Sequence, residues 1–477
     1  MELYRPVDIQ AITDALDKIV EDATEIKKKT LEPTLDECKQ VKEVINDYIM
    51  KKKRIVYGGT AYNTLIIQKS KSDAIYKPSD CKDVEFYSPK PIEDIMELAD
   101  ILHEKNFKFV QVRQAMHAET YSLFVNFEQY CDVSYMPSNV FSNMPALNIG
   151  GIMYAHPNWI LVDILRQYND PITSYWRLKD KTFFRASTLL KHYPLELANV
   201  DLPKYNPVYD TVKSELFFKL AKLHTLVFIG SVGTQYYLTR SPKINTTNLE
   251  VISTNFTNDV KLINKFLKEI LKSKYSDIVI NLYKPFFQFR DESVEFMLDS
   301  VVLVRIIGSG HKCIPYNILH MKDSSFDSIQ SIQLGGYYKV VKRKTAKSSH
   351  IIKLGTFMVL FQHLLVERHL FYISRSEKYK EVETIIGELL KARNDYLKSK
   401  SLTVMDSTPY KEFIIRCSGE TIDQGREFRL GLRKRKAQGA KLMFTYDPDG
   451  SKQSKVPEYK FANTSGNLDK TGIKKFF

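Results

Sequence analysis

The feature that most constrains the fold is a short acidic strand at residues 83–86, D-V-E-F, in which Asp83 and Glu85 alternate with Val84 and Phe86. A β-strand directs successive side chains to opposite faces, so both carboxylates share one face and both apolar side chains enter a core. Such a pair is most often a solvated strand face. It indicates chemistry only if other groups of the right kind converge on the same face.

A glycine turn precedes the acidic strand and a third acid follows it. The apolar stretch at residues 55–57 leads into Gly58 and Gly59, and a helix is predicted over residues 61–67. Backbone N–H groups at such a turn can approach phosphate oxygens. Asp132 lies in a later apolar strand, C-D-V-S-Y. Transfer of a nucleotide to a hydroxyl requires this combination, because two divalent ions held by three carboxylates neutralise the triphosphate and activate the hydroxyl.

Hydrophobic periodicity predicts the elements around these motifs. Residues 7–50 should form two helices separated at Pro33, and the acidic strand should be followed by a helix over residues 92–103. Further strands are predicted at residues 107–112, 121–127 and 131–135, and further helices at residues 157–168 and 176–192. This order favours an α+β fold, with a small mixed sheet and helices on one side, over a doubly wound parallel sheet.

Charge and cysteine usage limit the function classes. Lys and Arg number 70 against 56 Asp and Glu, and the net charge of +14 favours a polyanionic partner such as nucleic acid, although an AT-rich gene could also explain the excess of Lys. The five cysteines are scattered and form no C-x-x-C pair, which argues against a disulfide framework and a zinc module and suggests a reducing compartment. No apolar stretch approaches the about 20 residues of a membrane span, so a soluble, intracellular protein with no membrane partner is expected.

A second stretch of the chain repeats the layout of the first. L-V-F-I-G-S-V-G-T at residues 226–234 repeats the strand and glycine turn, and N-L-E-V-I-S at residues 248–253 aligns without a gap on D-V-E-F-Y-S. Asn248 replaces the first acid, and residues 301–307 offer no third carboxylate. The stretch is therefore either a degenerate second copy or a coincidence.

The motifs Y-G-G-T, D-V-E-F and C-D-V-S-Y together resemble the hG[GS], [DE]h[DE]h, h[DE]h signature of the polymerase β nucleotidyltransferase superfamily. Within it, P-N-W-I-L-V-D-I-L-R-Q-Y-N-D-P at residues 157–171 and W-R-L-K-D-K-T-F-F-R at residues 176–185 resemble the poly(A) polymerase catalytic subunits of giant viruses, which are related to the poxvirus enzyme. Two departures are a longer gap between Gly59 and Asp83 and a glutamate, Glu85, where aspartate is more frequent.

This resemblance implies template-independent polyadenylation of mRNA 3′ ends with AMP from ATP, two Mg²⁺ or Mn²⁺ ions, and a location in the host cytoplasm, viral factory or virion. RNA 3′ ends and ATP are the expected partners, and a homodimer is a further expectation. The implied catalytic metal ligands are Asp83, Glu85 and Asp132, and the implied nucleotide-binding residues are Gly58, Gly59 and Thr60. Alternatives are another RNA-specific nucleotidyltransferase and a non-catalytic RNA-binding scaffold subunit.

The predicted organisation has four parts: an N-terminal helical region at residues 1–50, a polymerase β-like nucleotidyltransferase domain at residues 51–200, a degenerate nucleotidyltransferase-like domain at residues 201–430, and a mobile basic tail at residues 431–477. Asp163 and Arg166, one helical turn apart, are interpreted as a structural ion pair. The residues that could contact phosphate or RNA, with a solvated face as the alternative, are Arg177, Lys179, Lys181 and Arg185.

Overall fold

The computed structural model describes residues 3–77, 80–117, 119–202, 209–238, 248–322, 349–422, 424–439 and 443–450. The α-helices are α1 (Pro6–Thr30), α2 (Leu35–Lys52), α3 (Gly58–Ile67), α4 (Pro91–Glu104), α5 (Ser138–Phe141), α6 (Pro157–Tyr168), α7 (Pro171–Ser174), α8 (Phe184–His192), α9 (Asp210–Leu220), α10 (Gly230–Tyr237), α11 (Phe256–Leu271), α12 (Phe357–Ile373), α13 (Lys378–Lys400) and α14 (Gln424–Ala437). Within these described ranges, no helix is long and apolar enough to span a membrane.

The strands are β1 (Ile55–Tyr57), β2 (Val84–Ser88), β3 (Gln111–Gln114), β4 (Thr120–Val125), β5 (Glu128–Tyr135), β6 (Ala146–Ile149), β7 (Ile152–Ala155), β8 (Leu226–Ile229), β9 (Leu249–Ser253), β10 (Val279–Tyr283), β11 (Ser293–Leu298), β12 (Val301–Gly308), β13 (Ile314–Lys322), β14 (Ser349–Gly355), β15 (Cys417–Ser418) and β16 (Thr445–Tyr446). Short 3-10 turns occur at Lys71–Asp73, Tyr175–Arg177 and Lys272–Asp277, and Leu178–Phe183 is a π-helical turn. The mixture of sheets and helices agrees with the predicted α+β class.

The chain divides into two compact units. The first comprises the described residues of Met1–Met136, Ala146–His156 and Phe428–Tyr459, and the second those of Pro137–Pro145, Pro157–Glu427 and Lys460–Phe477. This division differs from the predicted domain limits, because the helices that follow Pro157 belong to the second unit rather than to the catalytic domain ending at residue 200.

The first unit is built on an eight-stranded sheet with the order β16-β3-β4-β5-β2-β1-β7-β6. β2 lies between β1, with which it is antiparallel, and β5, with which it is parallel. Val84 and Phe86 are buried while Asp83 and Glu85 remain partly exposed, so the predicted alternation is confirmed. Its physical basis is the two-residue period of the strand, which sends the apolar side chains into the core on one face.

The second unit contains an eight-stranded sheet with the order β10-β11-β12-β9-β8-β14-β13-β15. Apart from the terminal strands β16 and β15, the two sheets have the same strand order and the same directions: β8 is antiparallel to β9, β9 is parallel to β12, and β14 is parallel to β8. The hydroxyl of Ser253 donates to the Asp259 carboxylate, as that of Ser88 does to Asp94. The gapless sequence correspondence therefore coincides with matching strands and contacts.

The two N-terminal helices predicted over residues 7–50 are confirmed as α1 and α2. α2 packs into the first unit through buried residues that include Val41, Ile45 and Ile49. α1 has no buried residue, although its apolar side chains recur at helical spacing. An amphipathic helix normally buries its apolar face, so α1 is an exception within this fold.

The predicted strand at residues 107–112 is shifted, because β3 begins only at Gln111. Phe109 has a left-handed backbone (φ 51°) and lies in a loop, where its ring contacts that of Phe127 with centroids 4.8 Å apart. Asn126 and Phe127 are also left-handed and form the turn between β4 and β5, so the predicted strand at residues 121–127 ends two residues early, at Val125. The hairpin formed by β6 and β7 was not predicted from the sequence.

The prediction of a mobile tail from residue 431 is wrong for the part that the structure describes. α14 continues through Ala437, and β16 pairs with β3 through Thr445 and Tyr446. Phe444 is buried and makes an edge-to-face contact with Tyr121, which gives this polar segment the apolar anchor that its composition did not suggest. The rest of the predicted tail, residues 451–477, lies outside the described residues.

The argument against disulfides is also wrong. Cys38 pairs with Cys81 and Cys313 with Cys417, with Cα–Cα separations of 6.3 Å and 5.2 Å, while Cys131 is buried and unpaired. Partners so distant in sequence cannot be recognised from spacing, since only the fold brings them together. The inference of a reducing compartment therefore loses its basis in the sequence.

Candidate active site

The glycine turn between β1 and α3 has a strict steric requirement. Gly58 has a φ of +67°, and a Cβ atom built on it would lie 1.8 Å from Oε2 of Glu85. The next amide, the N–H of Gly59, donates a hydrogen bond of 2.7 Å to that same oxygen. The turn thus brings a backbone donor against the acidic strand, and any side chain at position 58 would displace Glu85.

Glu85 and Asp132 lie directly opposite each other. They are Cα partners in the parallel pairing of β2 with β5, so their side chains project from the same face of the sheet. Asp132 Oδ1 accepts hydrogen bonds from the Ser122 hydroxyl at 2.5 Å and from the Gln129 amide at 3.0 Å. Two of the three predicted acids are thereby held side by side at the centre of the sheet.

The raised pKa values of Asp132 and its neighbour Cys131 indicate that the three acids lie close together. The pKa of Asp132 is raised to about 6, chiefly by burial and to a lesser extent by the charge of Asp83, while the hydrogen bonds from Ser122 and Gln129 oppose the shift. The pKa of the neighbouring Cys131 thiol is raised by burial and by the charges of all three acids, Asp132, Asp83 and Glu85. The ionised carboxylates therefore act on one small region of the sheet.

Asp83 immediately precedes β2, and its backbone is fixed by the glycine turn. The Thr60 hydroxyl donates to the Asp83 carbonyl at 2.9 Å. A hydroxyl has one hydrogen to donate, so the predicted contact from Thr60 to a phosphate oxygen would have to replace this bond. In the structure, Thr60 ties the start of α3 to the start of the acidic strand.

The three acids fit divalent ions in chemistry and backbone position. Carboxylate oxygens are the donors that Mg²⁺ and Mn²⁺ prefer, and the register puts Glu85 opposite Asp132 with Asp83 two residues away on the same face. Their side chains are engaged elsewhere, with Glu85 on Gly59 and Asp132 on Ser122 and Gln129. Accordingly, no cluster of three or more potential ligands has formed among the described residues.

The second unit has the same kind of glycine turn, but a positively charged residue stands where the first unit has an acid. Gly230 has a φ of +55°, and a Cβ there would lie 2.0 Å from Oε2 of Glu250, as at Gly58 and Glu85. The Cα partner of Glu250 across the parallel strands is Arg305, which stands where the first unit has Asp132. Arg305 is largely buried, with 15% of its side chain exposed, and forms ion pairs of 3.0 Å with Glu250, 2.7 Å with Glu295 and 2.9 Å with Glu367. A fixed cation occupies this position, so a metal ion there would meet a positive charge.

The other predicted side chains belong to the second unit, whereas the acids belong to the first. The guanidinium of Arg177 and the ammonium of Lys181 both lie over the ring of Trp176, at 4.4 Å and 5.4 Å from its centroid. Lys179 is exposed and Arg185 is half-buried. Their contact with RNA stays a prediction. The Asp163–Arg166 interpretation is confirmed by an ion pair of 2.8 Å within α6.

Four residues near these sites were not identified from the sequence. Ser122 and Gln129 orient Asp132, Arg305 replaces an acid in the second unit, and Lys42 on α2 interacts with the charge of Asp83. Burial lowers the pKa of Lys42, and the charges of Asp83 and Asp80 oppose that shift. Only the reversal at Arg305 had a sequence signal, namely the lone charge within the apolar stretch V-V-L-V-R-I-I.

Comparisons with known proteins indicate the same family over nearly the whole chain. Residues 43–174 match the family model described as "Poly(A) polymerase catalytic subunit", and residues 187–476 match "APMV, Putative poly(A) polymerase, catalytic subunit, C-terminal". The chain is 32% identical to the "Putative poly(A) polymerase catalytic subunit" of Acanthamoeba polyphaga mimivirus over 500 aligned residues, covering 97% of this chain and 82% of that protein.

More distant relatives and a solved structure agree with this match. The protein of the same description from African swine fever virus (strain Badajoz 1971 Vero-adapted) is 31% identical over 187 residues, 38% of each chain. The crystal structure of the Megavirus polyadenylate synthase superposes with a TM-score of 0.84 at 28% identity, covering 98% of this chain and 93% of that chain.

Proposed function

The chain belongs to the poly(A) polymerase catalytic subunits of giant viruses and is a polyadenylyltransferase, and from this premise we propose that it extends mRNA 3′ ends with AMP from ATP by a two-metal mechanism. One observation carries the proposal. At the same point of two matching sheets, the first unit sets Asp132 opposite Glu85 and the second sets Arg305 opposite Glu250. Only the first can attract divalent cations.

The side chains of the first unit have distinct tasks in this proposal. Asp83, Glu85 and Asp132 would hold two Mg²⁺ or Mn²⁺ ions, which when bound neutralise charge on the triphosphate and lower the pKa of the attacking 3′ hydroxyl. Ser122 and Gln129 keep the Asp132 carboxylate oriented toward the sheet face. The turn at Gly58 and Gly59 would bring backbone N–H groups to the triphosphate at the start of α3.

The second unit is proposed to be a degenerate nucleotidyltransferase-like domain. Its support is the shared strand order, the repeated left-handed glycine against a glutamate, and the matching Ser253–Asp259 contact. Asn248 stands where Asp83 stands in the first unit, and its amide donates to Glu250 at 2.9 Å. The buried ion-pair network at Arg305 would then be a structural replacement for the ions of the catalytic unit.

The base and metal requirements can be tested directly. The purified protein is expected to extend a single-stranded RNA with ATP and Mg²⁺ or Mn²⁺, and to be inactive in EDTA. Assays with each NTP in separate reactions measure base choice. Comparable incorporation of all four nucleotides would favour the alternative of a general RNA nucleotidyltransferase, and RNA binding without extension would favour the scaffold alternative.

A homodimer is proposed on the evidence of α1. Five of its apolar side chains fall at alternating spacings of three and four residues, with Ala23 completing the run, which is the seam of a coiled coil; they are Ile9, Ile12, Leu16, Ile19 and Ile26, 43% to 62% exposed. The opposite face is turned toward the first unit, because Glu21 pairs with Lys77 and Lys28 with Asp80. The apolar seam therefore points away from the unit and lacks a partner among the described residues.

Charge favours a second copy of α1 in antiparallel orientation. Among the side chains that flank the seam, the first turn of the helix carries Asp8 and the last turn carries Lys29. An antiparallel pair sets Lys29 of each helix beside Asp8 of the other and also opposes the helix dipoles.

Replacing Ile12 and Ile19 together by glutamate is expected to convert the dimer to a monomer, since four like charges would meet in one seam. Light scattering after gel filtration measures the mass. The matched control replaces the exposed Lys18 and Lys39 by glutamate and should remain dimeric. A monomeric parent protein, or a dimer that survives the double substitution, would contradict the α1 interface.

A further inference from the structure

One row of residues crosses the first sheet from the glycine turn to its far edge. Neighbouring members are Cα partners, which share a face of the sheet. In order, the row is Tyr57 on β1, Glu85 on β2, Asp132 on β5, Ser122 on β4, Arg113 on β3 and Thr445 on β16. The candidate active site therefore occupies the middle of a continuous surface.

The two ends of this row are chemically different. The end at Tyr57 adjoins the glycine turn, where the triphosphate is proposed to lie. In-line transfer requires the attacking hydroxyl to approach opposite the leaving pyrophosphate, so the RNA 3′ end should arrive from the other side, over β4 and β3. Arg113 is exposed there, about 10 Å from Asp132 if two strand spacings separate their Cα atoms. Its guanidinium lies 5.0 Å from the Phe124 ring centroid, on the same face.

The helix α14, which lies at the same edge of the sheet as β3, carries a row of cations. Arg429, Arg433 and Lys436 are exposed, and their spacing of four and three residues puts them on one side of the helix. The helix is fixed to the same edge, because Arg435 donates to the Gln114 side chain at 2.9 Å. We call these three side chains together with Arg113 the edge cations.

The segment after α14 secures this position. Phe444 is buried against Tyr121, and Tyr446 donates a hydrogen bond of 2.6 Å to Asp100. The pairing of β16 with β3 then puts Thr445 beside Arg113. A stretch of sequence rich in Lys and Arg is thus held in an ordered position at the edge of the sheet, next to Arg113.

We propose that the RNA strand leading to the 3′ end binds along this edge, with the phosphate nearest the active site on Arg113 and more distal phosphates on Arg429, Arg433 and Lys436. The inference rests on the proposed function. Single-stranded RNA suits the surface because successive phosphates can follow a row of cations without any base-specific contact. A growing poly(A) tail, whose sequence never changes, requires no base readout along this path.

The test measures RNA affinity against salt with a 5′-labelled oligo(A) and full-length protein. Each phosphate contact on a single strand contributes about 0.7 to the slope of log K against log salt, so replacing Arg429, Arg433 and Lys436 by glutamine should reduce that slope by about 2. Arg113→Gln should reduce it by about 0.7 and raise the KM for RNA roughly tenfold, with the KM for ATP unchanged.

Two matched variants separate charge from structure. Replacing the exposed Lys18, Lys27 and Lys39 by glutamine removes the same charge elsewhere in the first unit and should leave the slope within error. Replacing Arg429 and Arg433 by lysine keeps the positive charge and should retain the parental slope. If the two arginines acted only by holding α14 in place, lysine would not be expected to restore the slope. The proposed path is overturned if Arg113→Gln and the glutamine variant of Arg429, Arg433 and Lys436 both have the parental slope and the parental KM for RNA. Failure of the parent protein to extend RNA would instead overturn the proposed function.

Discussion

Asp132→Asn is expected to lower the rate of adenylate addition by about 10²- to 10³-fold or more, with the fold preserved. The substitution keeps the size of the side chain and an oxygen that can accept from Ser122 and Gln129, but it removes the negative charge opposite Glu85. The loss should appear in kcat, because the charge is needed where the transferring phosphoryl group is stabilised. Single-turnover primer extension with saturating ATP measures it.

The control for this substitution lies on the same strand. Glu128→Gln removes an exposed carboxylate of β5 and should leave turnover within a few-fold of the parent. Near-parental activity of a folded Asp132→Asn protein would show that the reaction does not depend on this row of the sheet.

Stability in EDTA gives Asp132→Asn a second readout. The pKa of Asp132 is raised from 3.8 to about 6 in the folded protein, so the unfolded chain loses this proton first and parental stability falls as pH rises through that range. The asparagine variant lacks this pH-dependent decline in stability and should be at least as stable as the parent protein at neutral pH. Urea denaturation at several pH values tests the sign.

Arg305→Met is expected to destabilise the second unit by about 3–5 kcal/mol at neutral pH, because it leaves three buried carboxylates without their shared cation. Those carboxylates belong to Glu250, Glu295 and Glu367. Methionine is an apolar side chain of similar length, so the lost charge rather than a cavity accounts for most of the effect. Thermal or urea unfolding of the full-length protein measures the change.

The stabilisation by the Arg305 ion pairs should be lost as the pH falls. Burial alone would raise the pKa of Glu367, but the charges of Arg305 and Arg290 lower it from 4.5 to about 2. The stabilisation is therefore complete above pH 4.5 and is lost as pH falls toward 2. In Arg305→Met the carboxylates can take up protons, so the difference from the parent should shrink in acid.

An exposed ion pair provides the matched control for Arg305. Lys219 pairs with Glu269 at 2.6 Å on the surface of the second unit, and Lys219→Met should cost less than about 1 kcal/mol. Arg305→Lys should fall between the two, since it keeps the charge but lacks the planar fork that reaches several carboxylates. Equal effects of Arg305→Met and Lys219→Met would mean that the buried network contributes no more than a surface pair.

Features with a local cause could be predicted from the sequence. The alternation in D-V-E-F follows from the period of a strand, and Gly58 follows from a turn that leaves no space for a Cβ. The repeat of the strand and turn near Gly230 could be seen for the same reason. In each case a few consecutive residues contain the whole physical argument.

Features that depend on distant residues could not be predicted. The cysteine pairs join residues 43 and 104 positions apart, and the order of the segment around Phe444 depends on a contact with Tyr121. The left-handed turn at Phe109 moved the start of β3 although its residues have strong strand preferences. No local pattern specifies such contacts, since they are decided by burial and pairing between segments that are distant in the sequence.

The sequence by itself therefore determined which residue types stand on each short element: an acid just before β2 and a second acid within it, a third on β5, and a glycine turn before them. Tertiary structure alone decided what those residues face. Strand register set Asp132 opposite Glu85 in one unit and Arg305 opposite Glu250 in the other, and it aligned Arg113 with the acids. The physical reason is that side-chain direction is a property of a few bonded neighbours, whereas register is fixed by hydrogen bonds and packing between strands far apart in the chain.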